Sequence, residues 1–180
     1  MTKKLRLLIL DANVVIKLFE LDLWDVVVEA CEIYLAESIV EGEAHFSMDA
    51  AGEKEYFDLQ SYVADGRVKQ FAVPSSDIGD FRSQFDPGYF ERLDLGEAES
   101  LTFLVGQSER YLICSADAIV YRTLGNLNRL DQGISLEMLL RRIGRTASLP
   151  RAYSEAWCKE QIRKGFADRL QGRGSKAEPF

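Results

Sequence analysis

Residues 5–20 read LRLLILDANVVIKLFE. A run of apolar residues (Leu5, then 7–10) stops at a carboxylate, Asp11, and apolar positions resume at Val14 with helical spacing. An uninterrupted apolar run this short is the pattern of a strand buried on both faces, as at the centre of a parallel sheet. Asp11 then stands at the carboxyl end of that strand, where open α/β sheets bind their ligands. Aspartate is also a common helix cap. The position alone therefore leaves two readings open, a cap for the following helix or a functional carboxylate.

Outward from this stretch, strands and helices alternate. Further strand patterns lie at 33–35 (IYL), 68–73 (VKQFAV, ending at Pro74) and 111–114 (YLIC), the last running into Ser115-Ala116-Asp117. Helical patterns cover 14–23, 24–30, 39–48, 53–64, 75–85, 97–108 and 118–127. Ser135 is placed to cap a helix over 136–143 that Gly144 ends, and Pro150 opens a last helix to about 170. Residues 86–88 read as a loop, the turn-rich NLNRLDQG (126–133) as the place of a short edge strand, and QGRGSKAEPF (171–180) as disordered. This alternation predicts an α/β protein, a parallel sheet with helices on both faces. The predicted organisation is one domain over 1–147, followed by a C-terminal helix and flexible tail over 148–180.

The chain has 180 residues, 47% apolar and 28% charged, with a net charge of −7 from 22 basic and 29 acidic side chains. That balance excludes a protein that coats nucleic acid by bulk electrostatics, but not a nuclease whose acidic site is filled by metal ions. Cys31, Cys114 and Cys158 are far apart and in no metal-ligand spacing, as expected of buried small residues in a reduced, cytosolic protein. The N-terminal apolar run is too short for a signal peptide and no segment approaches the roughly 20 apolar residues of a membrane span. The expected location is the cytoplasm. There is a single histidine, His45, on the polar side of its predicted helix, and no Gly-rich phosphate loop.

Acidic residues carry the functional argument. Asp11 and Asp117 each follow a buried strand, which in a parallel sheet brings both to one edge. A third acid comes from the helix over 39–48, where Glu43 has Ile39, Val40, Phe46 and Ser47 as helical neighbours and Glu41 has the more polar Glu37, Ser38, Ala44 and His45. Glu43 is the better candidate. A fourth comes from LGEAESL (95–101), where periodicity does not separate Glu97 from Glu99 and both also suit a helix first turn. Two carboxylates about 4 Å apart repel by roughly 4 kcal/mol at an effective dielectric of 20. A fold keeps them together by taking up protons or a cation. Hard oxygen donors without His or Cys suit Mg²⁺ or Mn²⁺, which can activate water for phosphodiester hydrolysis. Asn13 and Ser115, each two residues from one of the aspartates, are placed to orient those carboxylates or to touch a phosphate; turn and cap hydrogen bonds are the competing explanation.

Taken in order, LLILDANVVIKL, IVEGEAHF, LGEAESL and YLICSADAIVYRTL resemble the PIN-domain family, and GISLEMLLRRIG is similar to the end of several prokaryotic members. The resemblance covers about residues 5–145 and rests on the order and spacing of the four acidic segments. It implies a three-layer α/β/α sandwich with a central parallel sheet of about five strands, and a metal-dependent ribonuclease. By position, the family's first aspartate falls on Asp11 and its companion on Asn13. The helical glutamate falls on Glu43, or on Glu41 in another register. The third acid falls on Glu97, with Glu99 second, the last aspartate on Asp117, and the small hydroxyl residue before it on Ser115. The implied partners are RNA, an antitoxin if the protein is the toxin of a toxin–antitoxin pair, and a second copy in a homodimer; no membrane is implied.

Two other classes compete. A phosphatase of the haloacid dehalogenase type needs a second aspartate two residues after the first, and Asn13 stands there instead. A non-catalytic module that binds RNA or protein on the same fold is the alternative to the nuclease. The basic C-terminal segment, with Arg142, Arg145, Arg151, Lys159, Arg163, Lys164, Arg169 and Arg173, is compatible with packing on the domain, binding RNA, or receiving a partner.

Overall fold

The computed structural model describes residues 4–43, 46–49 and 51–176. In chain order the elements are β1 (Leu5–Leu10), α1 (Ala12–Glu20), α2 (Trp24–Ala30), β2 (Cys31–Ala36), a π-helical turn (Ile39–Glu43), β3 (Phe46–Met48), β4 (Lys54–Tyr56), α3 (Leu59–Ala64) and β5 (Val68–Phe71). There follow α4 (Ser75–Ser83), α5 (Pro87–Phe90), α6 (Leu95–Gly106), β6 (Leu112–Cys114), α7 (Ala118–Asn126), α8 (Leu136–Arg142), a 3₁₀ turn (Arg151–Tyr153) and α9 (Glu155–Leu170).

The apolar run before Asp11 is the central strand. Ile9 and Leu10 are wholly buried, and β1 lies between β2 and β6 in a parallel sheet of order β5-β2-β1-β6. Helices flank the sheet, with α2 and α6 packed on β2, α3 on β5, and α6 also on β6, giving the expected three-layer α/β/α sandwich. Beyond β6 a single parallel bridge joins Ile113 to Gly133. The Ile113 amide donates to the Gln132 carbonyl at 2.8 Å and the Ile134 amide to the Ile113 carbonyl at 3.0 Å. This single bridge is all that forms at the end of NLNRLDQG, where a short edge strand is expected, so among the described residues the sheet has four strands where about five are expected. The chain runs from β1 outward through β2 to β5, then crosses back to place β6 on the other side of β1. The order therefore reverses between β1 and β6, and their carboxyl ends flank the crevice where such sheets bind ligands.

Four expectations are corrected. The helix over 39–48 stops after one π-helical turn and becomes the antiparallel hairpin β3–β4. Ser47 is buried while its neighbours Phe46 and Met48 are exposed, a strand alternation with its polarity inverted, which helical spacing does not detect. Asp49 Oδ1 holds the connection by accepting from the amides of Ala51 (2.9 Å) and Glu53 (2.8 Å), and Gly52 takes φ +82°. The helix over 53–64 begins only at Leu59, because Asp58 caps it by accepting from the Gln60 amide. Residues 171–176, read as disordered, are pinned: the Asp86 amide donates to the Gly174 carbonyl (2.7 Å), and the Ser175 amide donates to Asn126 Oδ1 (2.9 Å). Residues 177–180 lie outside the described residues. The loop expected at 86–88 is in part the short helix α5, opened by Pro87 at its first position.

The C-terminal helix packs on the domain. α9 crosses α7 where two glycines meet the facing backbone. A Cβ on Gly165 would lie 1.9 Å from the Arg122 carbonyl oxygen, and one on Gly125 2.0 Å from that of Ile162. Ser154 caps α9 and Ser135 caps α8, each accepting from the amide three residues on. All three cysteines are free and buried. Among the described residues no helix is long and apolar enough to cross a membrane.

Candidate functional site

The β1–β6 ladder carries on past both strand ends. Leu10 pairs with Cys114, and the Asp11 amide donates to the Cys114 carbonyl at 3.1 Å. This sets Asp11 beside Ser115. The buried Ser115 hydroxyl donates to Asp11 Oδ2 (2.7 Å) and accepts from the Asp117 amide (2.9 Å), joining the two strand-end aspartates. Tyr121, wholly buried on α7, fixes the same loop. Its hydroxyl accepts from the Ser115 amide (3.1 Å) and lies 2.8 Å from the carbonyls of Ser115 and Ile134, to which it can donate its one proton.

The capping alternative divides the two aspartates. Asp11 is 3% exposed and makes no side-chain capping hydrogen bond to α1. Asp117 does cap α7, accepting from the Ile119 amide at Oδ1 (3.0 Å), and its Oδ2 has no protein donor among the described residues.

Glu97 and Glu99 are both buried, but two positions on a helix are about 200° apart around its axis. Glu99 turns to Ser38, whose hydroxyl donates to it. Glu97 belongs to the aspartate group. It also closes a capping box: Asp94 Oδ1 accepts from the Glu97 amide (2.8 Å) and Glu97 Oε2 accepts from the Asp94 amide (3.1 Å). Asp94 thus joins the acidic group. The D-x-x-E spacing before an apolar helix was its signal in the sequence.

These carboxylates act on one another. Burial pushes the Asp11 carboxyl up to about 6, helped by the charges of Asp94 and Asp117 and held back by the Ser115 hydroxyl. Burial pushes Glu97 up to about 8, and the nearby charges of Asp11, Asp94 and Asp117 add to it. The crevice therefore disfavours a bare charge on Asp11 and Glu97 and favours a proton or a cation there.

Among the described residues no hydrogen bond joins the side chains of Asn13 or Glu41 to this group, and the other candidates lie outside the description. Asn13 is exposed in α1, and its carbonyl, not its side chain, accepts from the Tyr153 hydroxyl (3.3 Å). Glu41 is exposed in the π-helical turn. The side chain of Glu43 and all of His45 lie outside the described residues.

Among the described residues no three Asp, Glu, His or Cys side chains converge on a point that could hold a metal ion. The chemistry of the donors nonetheless suits a hard divalent cation: all are carboxylates, two have raised pKa values, and Asp117 and Glu97 each keep one oxygen outside their caps. Mg²⁺ commonly takes only one or two carboxylates and keeps several waters, so it does not need three converging side chains. Neither the family models, nor the curated proteins, nor the solved structures compared with the chain give a match.

Proposed function

We propose that this chain is a metal-dependent endoribonuclease of PIN type that hydrolyses RNA phosphodiester bonds at the β1–β6 crevice. The observation that carries the reading is the Ser115 hydroxyl linking Asp11 to the Asp117 amide at the switch point of the sheet, with Glu97 alongside. In this reading Asp11, Glu97 and Asp117 hold Mg²⁺ or Mn²⁺ with Glu43 from the π-helical turn, and Asp94 adds a fourth described acid. A bound cation supplies an activated water and neutralises charge developing on the phosphate. The chain's own part is to hold the carboxylates in one low-dielectric crevice and to release the proton of Glu97 when the cation arrives. A cytoplasmic location and the role of toxin in a toxin–antitoxin pair are compatible with this reading.

One observation favours a second reading, a non-catalytic module that binds RNA or protein: the described carboxylates do not converge in threes. Calorimetric Mn²⁺ titration separates the two. The nuclease reading expects saturable binding by the intact protein, lost in Asp11→Asn/Asp117→Asn with circular dichroism unchanged, and Mn²⁺-dependent RNA cleavage that is lost with it. No binding at millimolar Mn²⁺ removes the nuclease reading and leaves the binding module.

A further inference from the structure

Beside the acidic crevice is a pocket of about 210 Å³ lined by Arg92, Asp117, Ala118, Ile119 and Arg122. Asp117 belongs to both. Arg92 comes from the connection between α5 and α6, two residues before Asp94, and Arg122 from α7, four residues after Ala118. Among the described residues several arginines have a carboxylate: Arg67, Arg110, Arg141, Arg151 and Arg173 all form ion pairs. Among the described residues neither Arg92 nor Arg122 does, although Asp117 lines the same pocket.

Arg122 is also held in place. Its Nε donates to Oε1 of Gln161 (3.3 Å), a polar side chain of α9 that is only 4% exposed. Two guanidinium groups around one small pocket repel each other, and an anion between them relieves that repulsion. A guanidinium with its Nε committed keeps its two terminal nitrogens, which suit a phosphate better than a point charge would. Fixing the side chain beforehand also lowers the entropy lost on binding.

We propose that Arg92 and Arg122 form a phosphate subsite that grips the RNA strand at a phosphate next to the one presented to Asp11, Glu97 and Asp117. The inference rests on the ribonuclease reading for the identity of the strand, but the subsite binds whether or not the carboxylates cleave. It accounts for how an acidic crevice in a chain of net charge −7 takes a polyanion: the arginines offset at one end the repulsion that the carboxylates impose at the other.

The test is fluorescence anisotropy with a labelled single-stranded RNA oligomer and the full chain, in EDTA so that nothing is cleaved, across a series of KCl concentrations. Arg92→Gln and Arg122→Gln are each expected to weaken binding by about three- to tenfold and to flatten the salt dependence by about 0.7, the share of one phosphate on a single strand. Arg151→Gln changes the charge equally at an exposed ion pair outside the pocket, and is expected to shift affinity less than about twofold. Arg122→Lys keeps the charge and is expected to keep the salt slope, and Arg92→Gln, which leaves the Arg122–Gln161 contact in place, carries the test if loss of that contact unfolds Arg122→Gln. Equal effects from the pocket and control variants, or no RNA binding by the wild type, overturn the subsite. A parallel Mn²⁺ cleavage assay keeps the two readings apart. Arginine-dependent binding without cleavage removes the nuclease and leaves the subsite; cleavage with KM unchanged in the pocket variants does the reverse.

Discussion

Asp11 and Glu97 make stability depend on pH in the direction opposite to an ordinary paired carboxylate. Their folded-state values of about 6 and about 8 lie above the usual values near 4. The folded chain therefore holds protons that the unfolded chain has released, and the contribution of these two groups to stability is fully present below about pH 4 and is lost as pH rises through about 6 and then about 8. Asp11→Asn removes the Asp11 share, on the order of 3 kcal/mol for a shift of about two pH units. In EDTA the variant is expected to melt higher than the wild type at pH 8 and at nearly the same temperature at pH 4, measured by scanning calorimetry. A variant less stable at pH 8 would mean that the Ser115 contact outweighs the burial of the charge. Mn²⁺ added at pH 8 is expected to raise the melting temperature of the wild type and not of the variant, because only binding to the folded state stabilises it.

The helices around the crevice are set by two kinds of contact, and they differ in how readable they are. Caps are local: Asp94 with Glu97 and Ser135 with Met138 each lie within one turn, so the sequence displays them. The α7–α9 crossing is not local. Gly125 and Gly165 look like ordinary helix interruptions until the two helices are brought together and each proves to meet a carbonyl oxygen. Gly165→Ala would put its Cβ 1.9 Å from backbone that also positions Arg122, and is expected to lower stability by about 3 kcal/mol, at the severe end of overpacking. Urea unfolding measures this. Gly42→Ala, with nothing within 4 Å of the added atom, is expected to change stability by less than about 1 kcal/mol. A Gly165→Ala variant as stable as the wild type would mean that the helices can separate freely.

In the whole molecule α9 is part of the core. It buries Cys158, Gln161, Ile162 and Gly165 and sets Trp157 edge-on to Tyr121, whose hydroxyl holds the Ser115 loop. Deleting residues 148–180 is expected to leave an aggregating chain or one without a cooperative thermal transition, measured by size-exclusion chromatography and melting. A compact, cooperatively melting 1–147 fragment would show that the sheet and its helices hold the crevice unaided. The sequence by itself determined the alternation of strands and helices, the burial of β1, and the placement of Asp11 and Asp117 at strand ends, because apolar periodicity and cap chemistry depend on residues a few positions apart. Only the tertiary structure decided that Glu97 and not Glu99 joins the aspartates, that Ser115 links residues 104 positions apart in the chain, and that β3–β4 is a hairpin. Those outcomes depend on which distant segments meet across the sheet, and helical or strand spacing within a segment carries no record of its partner.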